Sequence, residues 1–143
     1  MTAPPPIPVE ELSLSECWDL LRGELVGRLA VAAANVPDIF PINYIVDHGT
    51  LVFRSAPGTK LAAAVLGRGV AFEIDGYDAN GTTAWSVVAK GPARRIENMQ
   101  EFIDADDLPL FPWHTSPKPD IVRIEPETVT GRRFHAVSRD ERD

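Results

Sequence analysis

Proline and glycine punctuation limits this chain to short elements. Thirteen prolines and ten glycines are spread over 143 residues, and each one turns the backbone, bends it or removes a hydrogen-bond donor. Between them lie brief apolar runs bounded by turn residues, the pattern of many strands with tight connections. The spacing predicts strands over residues 28–34, 39–46, 50–54, 70–77, 83–96, 121–125 and 128–134. Gly91-Pro92 bends the longest of them. Asn35 to Asp38 and Asp47-His48-Gly49 supply the first two turns. Pro41 marks an edge, a bulge or a point where the ladder opens.

Helices sit at the connections. Ser13 and Glu16 form a capping box for a helix over about residues 14–22, with Leu14, Cys17, Trp18, Leu21 and Leu25 at helical spacing and Gly23 as the stop. A second helix is expected over 60–66 and a short one over 98–105. Residues 1–11, with Pro4-Pro5-Pro6 and Pro8, read as an extended arm, and 135–143 as a frayed tail. The whole, 1–143, reads as one domain. Meandering strands with helices between them point to a mainly β fold, an antiparallel Greek-key barrel with helical decoration. The strand–helix alternation of a doubly wound parallel sheet is absent.

Charge and cysteine content narrow the function. A formal net charge of −7 with no basic run argues against nucleic acid and anionic membrane as partners. One cysteine, Cys17, excludes an internal disulfide and fits a reducing cytoplasm. No apolar run reaches the length of a membrane span, and no secretory signal is visible. His48, His114 and His135 stand apart without ligand-spaced carboxylates or thiols, so no metal is expected. Cys17 falls on the apolar helix stripe, and no glycine-flanked serine elbow, dinucleotide fingerprint or Walker loop is present. Glu73 and Asp75 share one strand face, read as the solvated one.

One stretch does suggest chemistry. Residues 54–60, Arg-Ser-Ala-Pro-Gly-Thr-Lys, end a strand and open a helix. Backbone N–H groups at a helix start attract an anion, Ser55 and Thr59 add hydroxyls, and Arg54 and Lys60 add charge. The seven residues fit a phosphate monoester, and they equally fit a solvated strand-to-helix turn.

Further pieces extend that stretch: Gly27-Arg28-Leu29-Ala30, Pro41-Ile42-Asn43-Tyr44, Trp85-Ser86-Val87 with Gly91, and Thr130-Gly131-Arg132-Arg133-Phe134. In this order they resemble the FMN-binding split-barrel proteins of the pyridoxamine 5′-phosphate oxidase-like group, over about residues 12–134. The resemblance implies a flavin-dependent oxidoreductase, with FMN phosphate on Arg54, Ser55, Thr59 and Lys60. Pro41, Ile42 and Asn43 would back the flavin ring, and Trp85 and Ser86 would border it, from the partner subunit in one arrangement. It also implies a two-fold homodimer with the cofactor at the subunit interface and a small-molecule substrate. F420 or haem in place of FMN, in a carrier without turnover, is the alternative. Trp85 and Tyr44 also read as core aromatics, and Arg28 as a rim ion-pair residue rather than a ligand. True pyridoxamine-phosphate oxidases share a C-terminal substrate-phosphate segment, and here the chain ends in a short charged tail. Val87, Ala89 and Ile42 are the expected subunit contact, and the proline-rich loop around Trp113 the expected cover of the cleft.

Overall fold

The computed structural model describes residues 9–55, 69–96 and 120–135. These form one helix and nine strands, all paired antiparallel: β1 (Val9–Glu11), α1 (Leu14–Gly23), β2 (Val26–Ala33), β3 (Val36–Asn43), β4 (Ile45–Asp47), β5 (Thr50–Ser55), β6 (Gly69–Tyr77), β7 (Thr83–Arg95), β8 (Asp120–Ile124) and β9 (Thr128–His135). The larger sheet runs β3-β2-β6-β7-β9-β1, and the smaller runs β7-β8-β5-β4. The long β7 belongs to both, pairing β9 up to Lys90 and β8 from Ala93 onward. The change of partner falls at Gly91-Pro92. A Cβ at Gly91 would lie 2.2 Å from the Glu125 carbonyl oxygen, so only glycine admits this close approach.

Alternation sorts the side chains. Leu29, Val31, Phe72, Ile74, Val87 and Ala89 point inward from the larger sheet and meet Leu51, Phe53, Val122 and Ile124 from the smaller one. Helix α1 closes one end of this core. Its capping box forms as the sequence predicts, and Cys17 and Leu21 are buried. Leu14 and Leu25 lie outside the buried stripe and are exposed. The expected subunit contact is corrected as well: Ile42, Val87 and Ala89 are buried within the chain's own core. The sheet is not closed, and the result is a split barrel.

Two hairpins differ in legibility. His48 and Gly49 both take positive φ, 49° and 73°, in a two-residue turn whose backbone twist suits paired strands. The earlier turn is also two residues, Ala34-Asn35, so β3 starts at Val36, ahead of the expected position. At the N-terminus, the last three residues of the expected arm pair with β9 as β1. Among the described residues no helix is long and apolar enough to cross a membrane. The expected helices over 60–66 and 98–105 and the Trp113 loop lie outside the described residues.

Candidate functional site

The expected single strand over 39–46 is divided at Tyr44. Up to Asn43 the chain pairs with β2, and from Ile45 it pairs with β5. Tyr44 sits at the switch, its backbone N–H donating to the Leu25 carbonyl. Its ring packs edge-on to Phe72, with centroids 4.6 Å apart. Its hydroxyl donates to the Leu21 carbonyl at the end of α1. Tyr44 is therefore a core aromatic that pins the fork. Burial, with the Glu24 carboxylate adding to it, holds its phenol well above the usual range.

Beyond the switch, β3 and β5 touch but no longer share a ladder. Extending the β4–β5 register by two residues sets Asn43 beside Arg54, and by three Ile42 beside Ser55. Five of the predicted site residues, Pro41, Ile42, Asn43, Arg54 and Ser55, thus lie on the two strands that change partners at this switch. Pro41 stands on the edge strand β3, where a missing N–H costs nothing to the β2 ladder's far side. Alternation divides the five: Pro41, Asn43 and Arg54 project to one face, Ile42 and Ser55 to the core side. Asn43 Oδ1 and Ser55 Oγ are buried without a hydrogen-bond partner. Orphaned buried acceptors and hydroxyls are uncommon and mark places where a further group is due.

Thr59 and Lys60 lie outside the described residues. Trp85 and Ser86 do not join the fork within one chain. They lie on β7, separated from β3 by β2 and β6. Trp85 packs against the core, its ring lying over Gly76, where a Cβ would come within 2.6 Å. Ser86 pairs with Asp75 on the outward face.

Two charged clusters flank this region. On the outward face of the larger sheet, Arg28 Nη1 donates to Glu73 Oε1 at 3.1 Å and to Asp75 Oδ2 at 3.2 Å. Arg28 is thus the ion-pair residue the sequence suggests. Partial burial and the neighbouring Asp75 carboxylate raise the Glu73 pKa, against the opposing pull of Arg28. The second cluster was not singled out in the sequence. Arg123 of β8 is buried, and its Nη1 donates to Asp47 Oδ2 at 2.9 Å and Thr50 Oγ1 at 2.6 Å. Its signal was a lone arginine inside the apolar run Ile121-Val122-Arg123-Ile124. Burial pushes the Asp47 carboxyl up, but hydrogen bonds and charge from Arg123 and His48 outweigh it and hold the group below its ordinary value. No group of metal-ligating side chains occurs among the described residues.

An open barrel whose strand changes sheets at a fork, with unsatisfied polar groups at its mouth, defines the split-barrel class. The sequence profile described as pyridoxamine 5′-phosphate oxidase matches residues 13–133. The chain belongs to that family. It is 35% identical over 136 residues to the uncharacterized protein Rv0080 of Mycobacterium tuberculosis, covering 92% of this chain and 89% of that one. Among solved structures, it is similar to the FAD binding protein from Mycobacterium smegmatis at 39% identity and a TM-score of 0.83, covering 90% of this chain and 100% of the other. A FAD-binding protein from Mesorhizobium loti matches at 26% identity and a TM-score of 0.72, covering 87% and 97%.

Proposed function

We propose that this protein binds a flavin at the β3–β5 fork and serves as a flavin-dependent oxidoreductase. The observation that carries the reading is the unpartnered buried Asn43 Oδ1 on the outward face, where β3 and β5 part company, in a chain of this family. That acceptor fits a ligand with polar ring edges. Asn43 offers an acceptor to a ring N–H, and the β3 backbone from Pro41 to Asn43 offers a flat backing. Arg54 offers a guanidinium to a phosphate, Ser55 follows it on the core side at the end of the strand with a hydroxyl, and by the family resemblance Thr59 and Lys60 belong to the same cradle. The bound flavin supplies hydride chemistry, so no side-chain acid or base is required of the fork. FMN satisfies this cradle, and the FAD binding of the 39%-identical relative makes FAD the other flavin to test.

The same reading includes a two-fold homodimer. The core uses the inward face of the larger sheet, so the subunit contact moves to the outward one. There Ile39, 62% exposed, stands directly opposite Ala30, which is followed across the strands by Ala71 and Lys90. A groove of about 670 Å³ runs over Ala30, Ala32, Gly69 and Ala71. A knob beside a shallow hole is self-complementary under a two-fold axis. Ser86 lies on this face and would approach the fork of the other copy.

Titration of the purified protein with FMN, FAD and riboflavin, followed by flavin fluorescence, tests the proposal. FMN or FAD should bind, and Arg54→Gln should weaken phosphorylated flavins by about ten-fold or more while leaving riboflavin nearly unchanged. Equal weakening of all three would remove the phosphate role. A protein that takes up none of them would end the flavin reading, and a Soret band would replace it with haem.

A further inference from the structure

The outward face of the larger sheet carries, amid small and apolar residues, one guanidinium shared by two carboxylates. Arg28 stands opposite Pro41 on one side and opposite Glu73 on the other. Its Nη1 alone reaches both Glu73 and Asp75, so the cluster keeps one uncompensated negative charge. Glu73 has Ala71 and Asp75 as its neighbours along β6, and Val88 opposite it on β7. The other charged groups on this face are Lys90 on β7, Arg132 on β9 and Glu11 on β1. Lys90 stands opposite Ala71, with Glu127 beside it in the groove, and Arg132 stands opposite Ser86, in the same cross-strand row as Asp75 but two strands from it; neither cation is in register with Glu73. Side-chain exposure is 53% for Arg28, 33% for Glu73 and 44% for Asp75, so all three still draw on water in one copy of the chain.

We infer that the Arg28–Glu73–Asp75 cluster makes self-association through this face proton-linked, the contact tightening as the face takes up protons. This rests on the reading of the outward face as the subunit contact. Covering the cluster with a second copy removes the water that shares its surplus negative charge. A buried charge without a partner is costly, and the group relieves the cost by taking a proton. The carboxyl that gives way is Glu73. It is the less exposed of the two and already holds its proton more tightly than an ordinary glutamate, because of burial and the adjacent Asp75. The sign follows from linkage: the associated state binds more protons than the separated chains, so the dissociation constant falls as pH falls. Protonation leaves Arg28 paired with Asp75 alone, a neutral cluster.

Sedimentation of the full-length purified protein between about pH 7.5 and pH 5.5, above its isoelectric point near 4.9, tests the inference. The wild-type dissociation constant should fall by about ten-fold or more over that range. Glu73→Gln, which carries no charge at any pH, should associate as tightly at pH 7.5 as the wild type does at pH 5.5 and show little further response. Asp19→Asn, on the exposed side of α1, removes the same charge away from the face and should keep the wild-type pH response. A dimer whose affinity is flat with pH, or a Glu73→Gln protein that keeps the full response, overturns the proton linkage and leaves the contact face standing. Wild type and Glu73→Gln that are both monomeric throughout overturn the contact face, and the linkage with it.

Discussion

Replacing either partner of the buried Arg123–Asp47 pair should have unequal consequences. The Arg123 side chain is 9% exposed and that of Asp47 20%. Arg123 spends Nη1 on both Asp47 and Thr50, while its Nε is buried without a partner. In Asp47→Ala the guanidinium stays buried with only the threonine hydroxyl, an uncompensated charge. Removing one partner of a buried pair costs about 3–5 kcal/mol, and the partial exposure of Asp47 brings the expected loss to about 2–4 kcal/mol. Arg123→Met removes the buried charge and its unsatisfied Nε, keeps most of the apolar stem and leaves Asp47 within reach of water. Its cost should stay within about 1 kcal/mol. Urea unfolding at neutral pH, comparing midpoints at constant slope, measures both. The folded pKa of Asp47 is depressed, so its stabilisation is complete above the ordinary carboxylate range and is lost as pH falls through the folded value. The gap between wild type and Asp47→Ala should therefore close below about pH 4. An Arg123→Met protein as damaged as Asp47→Ala would refute the reasoning, because the arginine would then stabilise by more than its compensation.

Three further outcomes follow from the geometry. Gly91→Ala drives a Cβ to 2.2 Å from a backbone oxygen that cannot yield, so it should lower stability by about 3 kcal/mol or more in thermal melts; a melt within 2 °C or so of wild type would mean that β7 bends another way. Ala34→Gly relieves a non-glycine φ of 52° and should raise stability by about 0.5–1 kcal/mol, read from the urea midpoint, whereas glycine elsewhere in β2 should lower it. The Cys17 thiol, fully buried and pushed up in pKa by burial and the nearby Glu16 charge, should resist Ellman's reagent in the native protein and react only with unfolding.

What could be read from the sequence depended on whether the signal was local. The capping box at Ser13 and the His48-Gly49 turn were legible because each is decided by residues in contact along the chain. The Ala34-Asn35 turn was not, since alanine carries no mark of a left-handed backbone and the neighbouring Pro37 drew the boundary later. Nor could the division at Tyr44 be seen. The residues from Ile39 to Val46 form one strand-like run, and only the competing partners β2 and β5 split it. The candidate site was legible as a set of donors, Arg54 and Ser55, and of backing residues, Pro41 to Asn43. Their convergence followed from register, and their separation onto two faces from alternation. Trp85 read both ways because an aromatic that covers a glycine and one that borders a ligand look alike in a sequence, and within one chain it covers Gly76. Arg123 went unremarked because a single charge in an apolar strand gains meaning only from Asp47 and Thr50, far away in the chain.

The position of β8 has a consequence for how the molecule is made. This strand follows both β5 and β7 in the chain, yet it lies between them and, among the described residues, supplies the ladder that joins them. Until residues 120–124 emerge, the β4–β5 hairpin lacks the ladder that ties it to β7, and Leu51 and Phe53 lack the packing of Val122 and Ile124. The nascent β4–β5 hairpin therefore keeps a bare edge until β8 follows, a strand inserted between two older ones. Such long-range pairing is slow to form. Chains truncated before Ile124 should be held by chaperones or aggregate through the open edge of β5.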